Sequence, residues 1–354
     1  MARRQSEWGI WAFAFGYFAC YAPYSALTKA LSSGSWPRAR APLDGVAVLP
    51  LSVVASLFTS VIALSVLRWW GAATQARVGG LTLPRPRLVT ALSGLCASAI
   101  LMTTTLAYTF DGVSIVFVML LMRGGVLVIA PLVDLLSRRR VRWYSWAGLG
   151  LSLLALLVAF AERGAALAIT LPCAVDIAVY LAAYFIRLRL MSRHAKSDDA
   201  DEARRFFVEE QLVATPASLL LLAGLAVVGA AGAGGAVAQA AREGFTAVAA
   251  GPVLVEVLVV GVLSQGTGIF GGLIFLDKRE NSFTVPVNRS ASILAGVIAS
   301  YTLAGLFGGH PPSAHELGGA ALVIAAIVFL SVPPSLERRA KARAAAAAAA
   351  QRAA

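Results

Sequence analysis

The sequence predicts an all-α, polytopic membrane protein with ten transmembrane helices arranged as two inverted five-helix repeats. Three observations lead there: an excess of apolar residues, their concentration in runs of bilayer length, and a similar polar pattern in the two halves. Hydrophobic residues make up 58% of the 354 positions and charged residues only 14%, with a mean hydropathy of +0.76. A soluble domain carries roughly 45–50% apolar residues even with glycine counted, because its surface must be polar. A helix that crosses a bilayer needs about 20 apolar residues, and many of the runs here are of that length.

The runs are residues 8–28, 46–67, 88–109, 113–136, 144–161, 165–189, 207–229, 252–276, 283–307 and 316–333. The first follows Arg3 and Arg4, but its apolar stretch from Trp8 to Leu27 is too long and too aromatic for a signal peptide, whose apolar region spans about 7–15 residues. Its Tyr17, Tyr21 and Tyr24 recur at one-turn spacing and form a candidate lining. The third run carries Thr104 and Tyr108 at i and i+4, and the fourth carries Arg123 and Pro131. The sixth carries Asp176, with Tyr180 and Tyr184 one and two turns later.

Residues 190–206 read as a cytoplasmic linker. Acids at Asp198, Asp199 and Glu202 precede Arg204 and Arg205, the order that suits the dipole of a short helix. Glu209 and Glu210 open the seventh run and are expected at the interface. Residues 231–250 read as an outer loop, led by the Gly/Ala-rich stretch Gly229–Gly235. In the eighth run, Glu256 is expected near the outer headgroups or an outer gate, and Gln265 shares a face with Gly268 and Gly272. The ninth places Ser292, Gly296 and Ser300 on one face with Arg289, beyond Pro286. Residues 334–354 form a basic Ala/Arg-rich tail, expected as a solvated or surface-lying helix near anionic lipid.

The net charge of +12 belongs to membrane topology rather than to nucleic acid. With a cytoplasmic N-terminus, about 23 of the 30 basic residues fall in inside segments and about 5 in outside ones. The inside set includes Arg87, Arg187, Arg189 and Lys196. Both termini are therefore expected in the cytoplasm, in a bacterial inner membrane. Cys20, Cys96 and Cys173 all lie in apolar runs, which leaves no disulfide framework and no CxxC metal pair.

Arg123 and Arg289 are the two basic residues left within apolar runs. Arginine in hydrocarbon costs about 2.5–3.5 kcal/mol even on lenient insertion scales, so both must face protein or water. The surroundings of the two repeat. Met122-Arg123-Gly124 is followed 25 residues after the arginine by Gly148, and Asn288-Arg289-Ser290 is followed 29 residues after it by Gly318. The first unit spans residues 1–162 and the second 163–333. Five runs per unit make the second enter from the opposite side, the inverted arrangement that puts substrate sites near the bilayer midplane.

This pattern resembles the drug/metabolite transporter superfamily, the ten-helix EamA-like carriers related to sugar-phosphate and nucleotide-sugar transporters. Gly112 to Phe160 looks like the end of one EamA unit, and Asn281 to Leu330 like the end of the second. The resemblance implies a secondary carrier that works by alternating access without a cofactor. It also implies an anionic metabolite, because sugar-phosphate carriers place basic residues in comparable helices.

The chemistry of the residues agrees with an anion. Guanidinium groups present forked donors that match carboxylate or phosphate, and two of them could grip an anionic group from both sides. Alternatively each arginine is locked to an internal acid, for which Asp176 is the expected partner. Asp176 is also a candidate proton-coupling carboxylate, since burial disfavours its charged form. The candidate substrate-binding set is Arg123, Arg289, Gln265, Asp176, Tyr180, Ser292 and Tyr108. No HExxH, GxSxG or Gly-rich nucleotide motif is present, so no enzyme, metal or cofactor is expected. Alternatives to an anion carrier are a proton-coupled exporter of amino acids or drugs, and a lipid-flipping or assembly subunit. The expected partners are a small-molecule substrate and the lipid bilayer, with a homodimer allowed and no nucleic acid.

Overall fold

The computed structural model describes residues 9–39, 41–78, 81–106, 115–161, 171–196, 199–308 and 314–353. The described residues form eleven helices: α1 (Gly9–Ser32), α2 (Gly45–Val66), α3 (Leu88–Leu106), α4 (Ile115–Leu136), α5 (Trp143–Ala161), α6 (Leu171–His194), α7 (Ala200–Ala230), α8 (Gly235–Phe245), α9 (Leu254–Phe275), α10 (Asn281–Phe307) and α11 (Ala314–Ala353). Strands β1 (Gln75–Val78) and β2 (Leu81–Pro84) pair antiparallel between α2 and α3. Ten of the helices lie on the ten apolar runs. The hairpin and α8 are additions to the expected all-α pattern, and α8 replaces part of the expected outer loop.

Four of the described helices are long and apolar enough to cross a bilayer: Gly45–Val66, Asp201–Ala230, Leu254–Phe275 and Asn281–Phe307. Large apolar side chains point outward along the helices. Phe15, Phe58, Leu171, Leu220, Val227 and Val255 are each more than half exposed. Meanwhile Ser93, Asp134, Glu209, Glu210 and Arg289 are buried between helices. An apolar exterior around a polar seam is the distribution that a lipid solvent selects. The chain is a membrane protein.

The helix ends are set by local chemistry. Asp44 caps α2, its Oδ1 accepting from the Val46 N–H at 2.7 Å. Asp199 caps α7 in the same way through Asp201 N–H at 2.9 Å, and Asp201 and Glu202 sit in the first turn of α7 itself. The 190–206 segment therefore holds no separate short helix among its described residues. Helix α2 and helix α4 both stop on an arginine in the left-handed region, Arg68 at φ 54° and Arg138 at φ 53°. In each case the next N–H reaches back to an earlier carbonyl, Trp69 to Leu64 and Arg139 to Asp134. A side chain at positive φ costs about 1–2 kcal/mol, and the cation beside the helix C-terminus offsets part of that. At the far end, α11 runs unbroken from the last apolar run into the basic tail.

Helix α1 packs on α9 and α10, and α6 packs on α3 and α4. Helix α2 lies on α9, and α7 lies on α3. Helices α4 and α10 touch, as do α5 and α11, and α2 and α7. Glycine permits the closest approaches. A Cβ on Gly261 of α9 would meet the backbone of Ser52 and the Cβ of Ala55 on α2, the latter at 2.7 Å, and Ser56 Oγ donates to the Gly261 carbonyl at 2.8 Å. A Cβ on Gly94 of α3 would meet Val213 Cβ at 2.7 Å and the Glu210 carbonyl oxygen at 2.9 Å on α7.

Candidate functional site

Arg123 is the ninth residue of α4 and Arg289 the ninth of α10. At 1.5 Å per residue each lies roughly 12 Å inside its helix. The Arg123 guanidinium donates to the Tyr21 hydroxyl on α1 at 2.7 Å. The Arg289 guanidinium lies over the Tyr184 ring on α6, 5.1 Å from its centroid. Each arginine thus meets a tyrosine on the first helix of its own half of the chain.

Those tyrosines come in one-turn pairs. Tyr17 and Tyr21 stack at 5.4 Å with rings nearly parallel, and Tyr180 and Tyr184 lie 4.8 Å apart. Tyr17 and Tyr180 each lie within electrostatic reach of both guanidinium groups, so the two arginines belong to one cluster. Gly271 of α9 makes room for it, since a Cβ there would press on the Tyr17 ring at 3.2 Å and on Asn288 Nδ2 at 3.4 Å. Arg289 is only 6% exposed, and its Nε and one terminal nitrogen have no hydrogen-bond partner. Unused forked donors in a buried setting are what an anionic oxygen pair would satisfy.

Several expected residues stand elsewhere. Asp176 is 6% exposed, but neither carboxylate oxygen has a hydrogen-bond partner among the described residues, so it is not the salt-bridge partner of either arginine. Gln265 is buried, and its Nε2 donates to Gln211 Oε1 on α7 at 3.0 Å. Its face of α9 looks towards α7, as Gly272 against Phe207 confirms. Ser292 is buried and its hydroxyl is spent on the Arg289 carbonyl at 2.7 Å, so it offers no free donor to a cavity. Thr104 likewise bonds back to the Ile100 carbonyl. Tyr108 lies outside the described residues. Glu256 accepts from Trp36 Nε1 at 3.1 Å and faces Arg38 at 3.5 Å, which ties the α1–α2 connection to the start of α9.

Glu209 and Glu210 are enclosed by protein. They lie nine and ten residues after the first residue of α7, and both are fully buried. Glu209 receives Thr74, Arg87 and Thr90, and so caps the start of α3. Glu210 takes a forked pair from Arg187 at 2.9 and 2.8 Å, with Ser93 as a further donor. Arg187 is therefore, with Arg289, a buried arginine, and it lies within α6.

A further polar cluster, absent from the expectations, closes one end of the bundle. Asp134, near the end of α4, is fully buried and accepts four hydrogen bonds from the start of α10. Asn281 supplies its N–H at 2.9 Å and its Nδ2 at 2.8 Å, and Ser282 its N–H and hydroxyl at 2.7 Å each. Asn281 also donates to Ser192 of α6 at 2.7 Å, while Arg139 donates to the Lys196 carbonyl at 2.6 Å and the Lys278 carbonyl at 3.0 Å.

Lys196, in the α6–α7 connection, is buried there and donates to the Arg279 carbonyl at 2.9 Å and to Thr284 at 3.2 Å. Burial pulls its ammonium down to about 7, against the attraction of Asp134, Asp277 and Glu280. An unfolded lysine titrates near 10.4, so between about pH 7 and 10 the unfolded chain binds the extra proton and stability rises with pH. We predict a melting temperature that climbs over that window and a flatter profile in Lys196→Met. An unchanged profile in the variant would show that Lys196 does not set it.

No family model and no curated protein matches the chain. A crystal structure of a protein is similar to it, with a TM-score of 0.52 and 16% identity, covering 94% of this chain and 99% of the other. At that identity the likeness is one of fold, and it extends over nearly the whole chain.

Proposed function

We propose that the chain is a secondary carrier of a small anionic metabolite, held in a bacterial inner membrane by ten spanning helices with both termini in the cytoplasm. The ten helices form two inverted repeats, α1–α5 and α6, α7, α9–α11, as in the drug/metabolite transporter superfamily. In support, exchanging α1 with α6, α2 with α7, α3 with α9, α4 with α10 and α5 with α11 carries α1–α9 onto α3–α6, α1–α10 onto α4–α6 and α2–α9 onto α3–α7, and returns α4–α10, α5–α11 and α2–α7 to themselves. The exchange carries Gly94 against α7 onto Gly261 against α2. It also carries Arg123 beside Tyr21 onto Arg289 beside Tyr184, and the Tyr17–Tyr21 pair onto Tyr180–Tyr184.

The carrying observation is that duplicated arginine–tyrosine pair. Buried Arg289, over Tyr184 and without an acid partner among the described residues, lies in one cluster with the Arg123–Tyr21 pair, and an anion from solution would satisfy its unused donors. Rocking one bundle against the other around such a site gives alternating access. The test is a melting-temperature panel of small phosphates, phosphate esters and carboxylates on purified protein, with stabilising anions carried into proteoliposome counterflow. Stabilisation that disappears in Arg289→Ala and Arg123→Ala is expected, at roughly 1.5–3 kcal/mol or ten- to a hundredfold in affinity for each. Stabilisation undiminished in both variants would remove the anion site.

A further inference from the structure

The repeat relation has one conspicuous gap. Tyr180 and Tyr184 answer to Tyr17 and Tyr21, and one turn before each pair stand Asp176 on α6 and Phe13 on α1. An acid occupies one copy and a phenyl ring the other. Asp176 is buried, and both of its oxygens lack any hydrogen-bond partner.

Among the described residues, no group makes a hydrogen bond or close ion pair with it. On α6 itself the titratable neighbours are Cys173, buried one turn earlier, and Tyr180 one turn later. Helix α3, packed on α6, carries no charged residue at all. Helix α4 brings Arg123, which turns to Tyr21, and Asp134, which is committed at the far end to α10. Helix α7 brings Glu210, which holds Arg187, and Glu209, which caps α3. A lone carboxylate in such surroundings costs several kcal/mol, whereas the neutral acid costs far less.

We propose that Asp176 is a proton-binding site coupled to the arginine–tyrosine cluster. Its helix continues through Tyr180 to Tyr184, under the Arg289 guanidinium, at a separation of about 12 Å along the axis. While the cluster is empty, the buried Arg289 charge about 12 Å along the helix favours the ionised form of Asp176. When an anion offsets that charge, Asp176 accepts a proton from the open side of the membrane, and proton and anion cross together. This coupling rests on the anion site proposed above.

Infrared pH-difference spectra of the full chain in lipid test both parts. A protonated-carboxyl band is expected in the wild type and is expected to vanish in Asp176→Asn. Added inorganic phosphate should raise the ratio of protonated to ionised Asp176 about tenfold at fixed pH, the effect of one unit charge at that separation in a medium of effective dielectric about 20. Identical carboxyl spectra for wild type and Asp176→Asn would overturn the proton site. A band that phosphate leaves unmoved, while phosphate still raises the melting temperature, would overturn the coupling. Phosphate and the other anions inert towards melting, with the band present, would sink the anion site and leave the proton site standing.

Discussion

Glu210→Ala is expected to be the most destabilising single change in the bundle, by about 3–5 kcal/mol. The variant leaves the Arg187 guanidinium buried with its forked partner gone, and it deprives Ser93 of its acceptor. The nearest compensation, the Phe275 ring 5.9 Å from Arg187, cannot replace a carboxylate. The penalty belongs to the uncompensated charge rather than to the pair itself. Removing both partners as Arg187→Met with Glu210→Leu should therefore recover most of the loss. Unfolding in detergent measured by intrinsic fluorescence reads both variants. A Glu210→Ala protein as stable as wild type, or a double variant no better than the single, would contradict the assignment.

Asp134→Ala is expected to open one end of the bundle. Four donors from α10 lose their acceptor at once, two of them first-turn N–H groups with no partner inside the helix. Each orphaned donor costs about 1–3 kcal/mol if it stays buried, so the cheaper outcome is separation of α4 from α10 and hydration of both ends. Under the proposed carrier function and topology this cluster would serve as the inner gate, and its loss would bias the protein towards the state open to the cytoplasm. A cysteine at Val285, fully buried beside the cluster, reports the change in a background without Cys20, Cys96 and Cys173. Its labelling by an impermeant maleimide from the cytoplasmic side should rise at least about tenfold in Asp134→Ala. Equal labelling with and without Asp134 would show that the cluster holds no gate.

The parts of this architecture that repeat along the chain were legible in it. Helical spacing alone placed Tyr17 with Tyr21, and Asp176 with Tyr180 and Tyr184, and the cost of arginine in oil singled out Arg123 and Arg289. What escaped was chemistry between distant segments. Asp134 looks like a flanking charge at the end of an apolar run, and its partners lie 147 and 148 residues later. Glu209, Glu210 and Arg187 sit at the edges of apolar runs, yet α6 and α7 continue as helices past those edges, which carries the charges into the protein. Spacing puts Gln265 on one face with Gly272, and only packing shows that this face meets α7. The Gly-rich stretch before α8 hid a helix whose N-cap Gly234 and first residue Gly235 are both at positive φ. Asp176 was matched to an arginine because both are buried and opposite in charge, whereas the tyrosines occupy the space beside those arginines.

The central claim is that guanidinium groups from α4 and α10 serve one anion. A double-mutant cycle of Arg123→Ala and Arg289→Ala, read from inorganic phosphate dissociation constants by calorimetry on purified protein, tests it most directly. Two cations on one ligand should give a coupling energy above about 1 kcal/mol, with the double variant losing clearly less than the sum of the singles. Losses that add to within about 0.5 kcal/mol, or single variants that bind phosphate as tightly as the wild type, would contradict it.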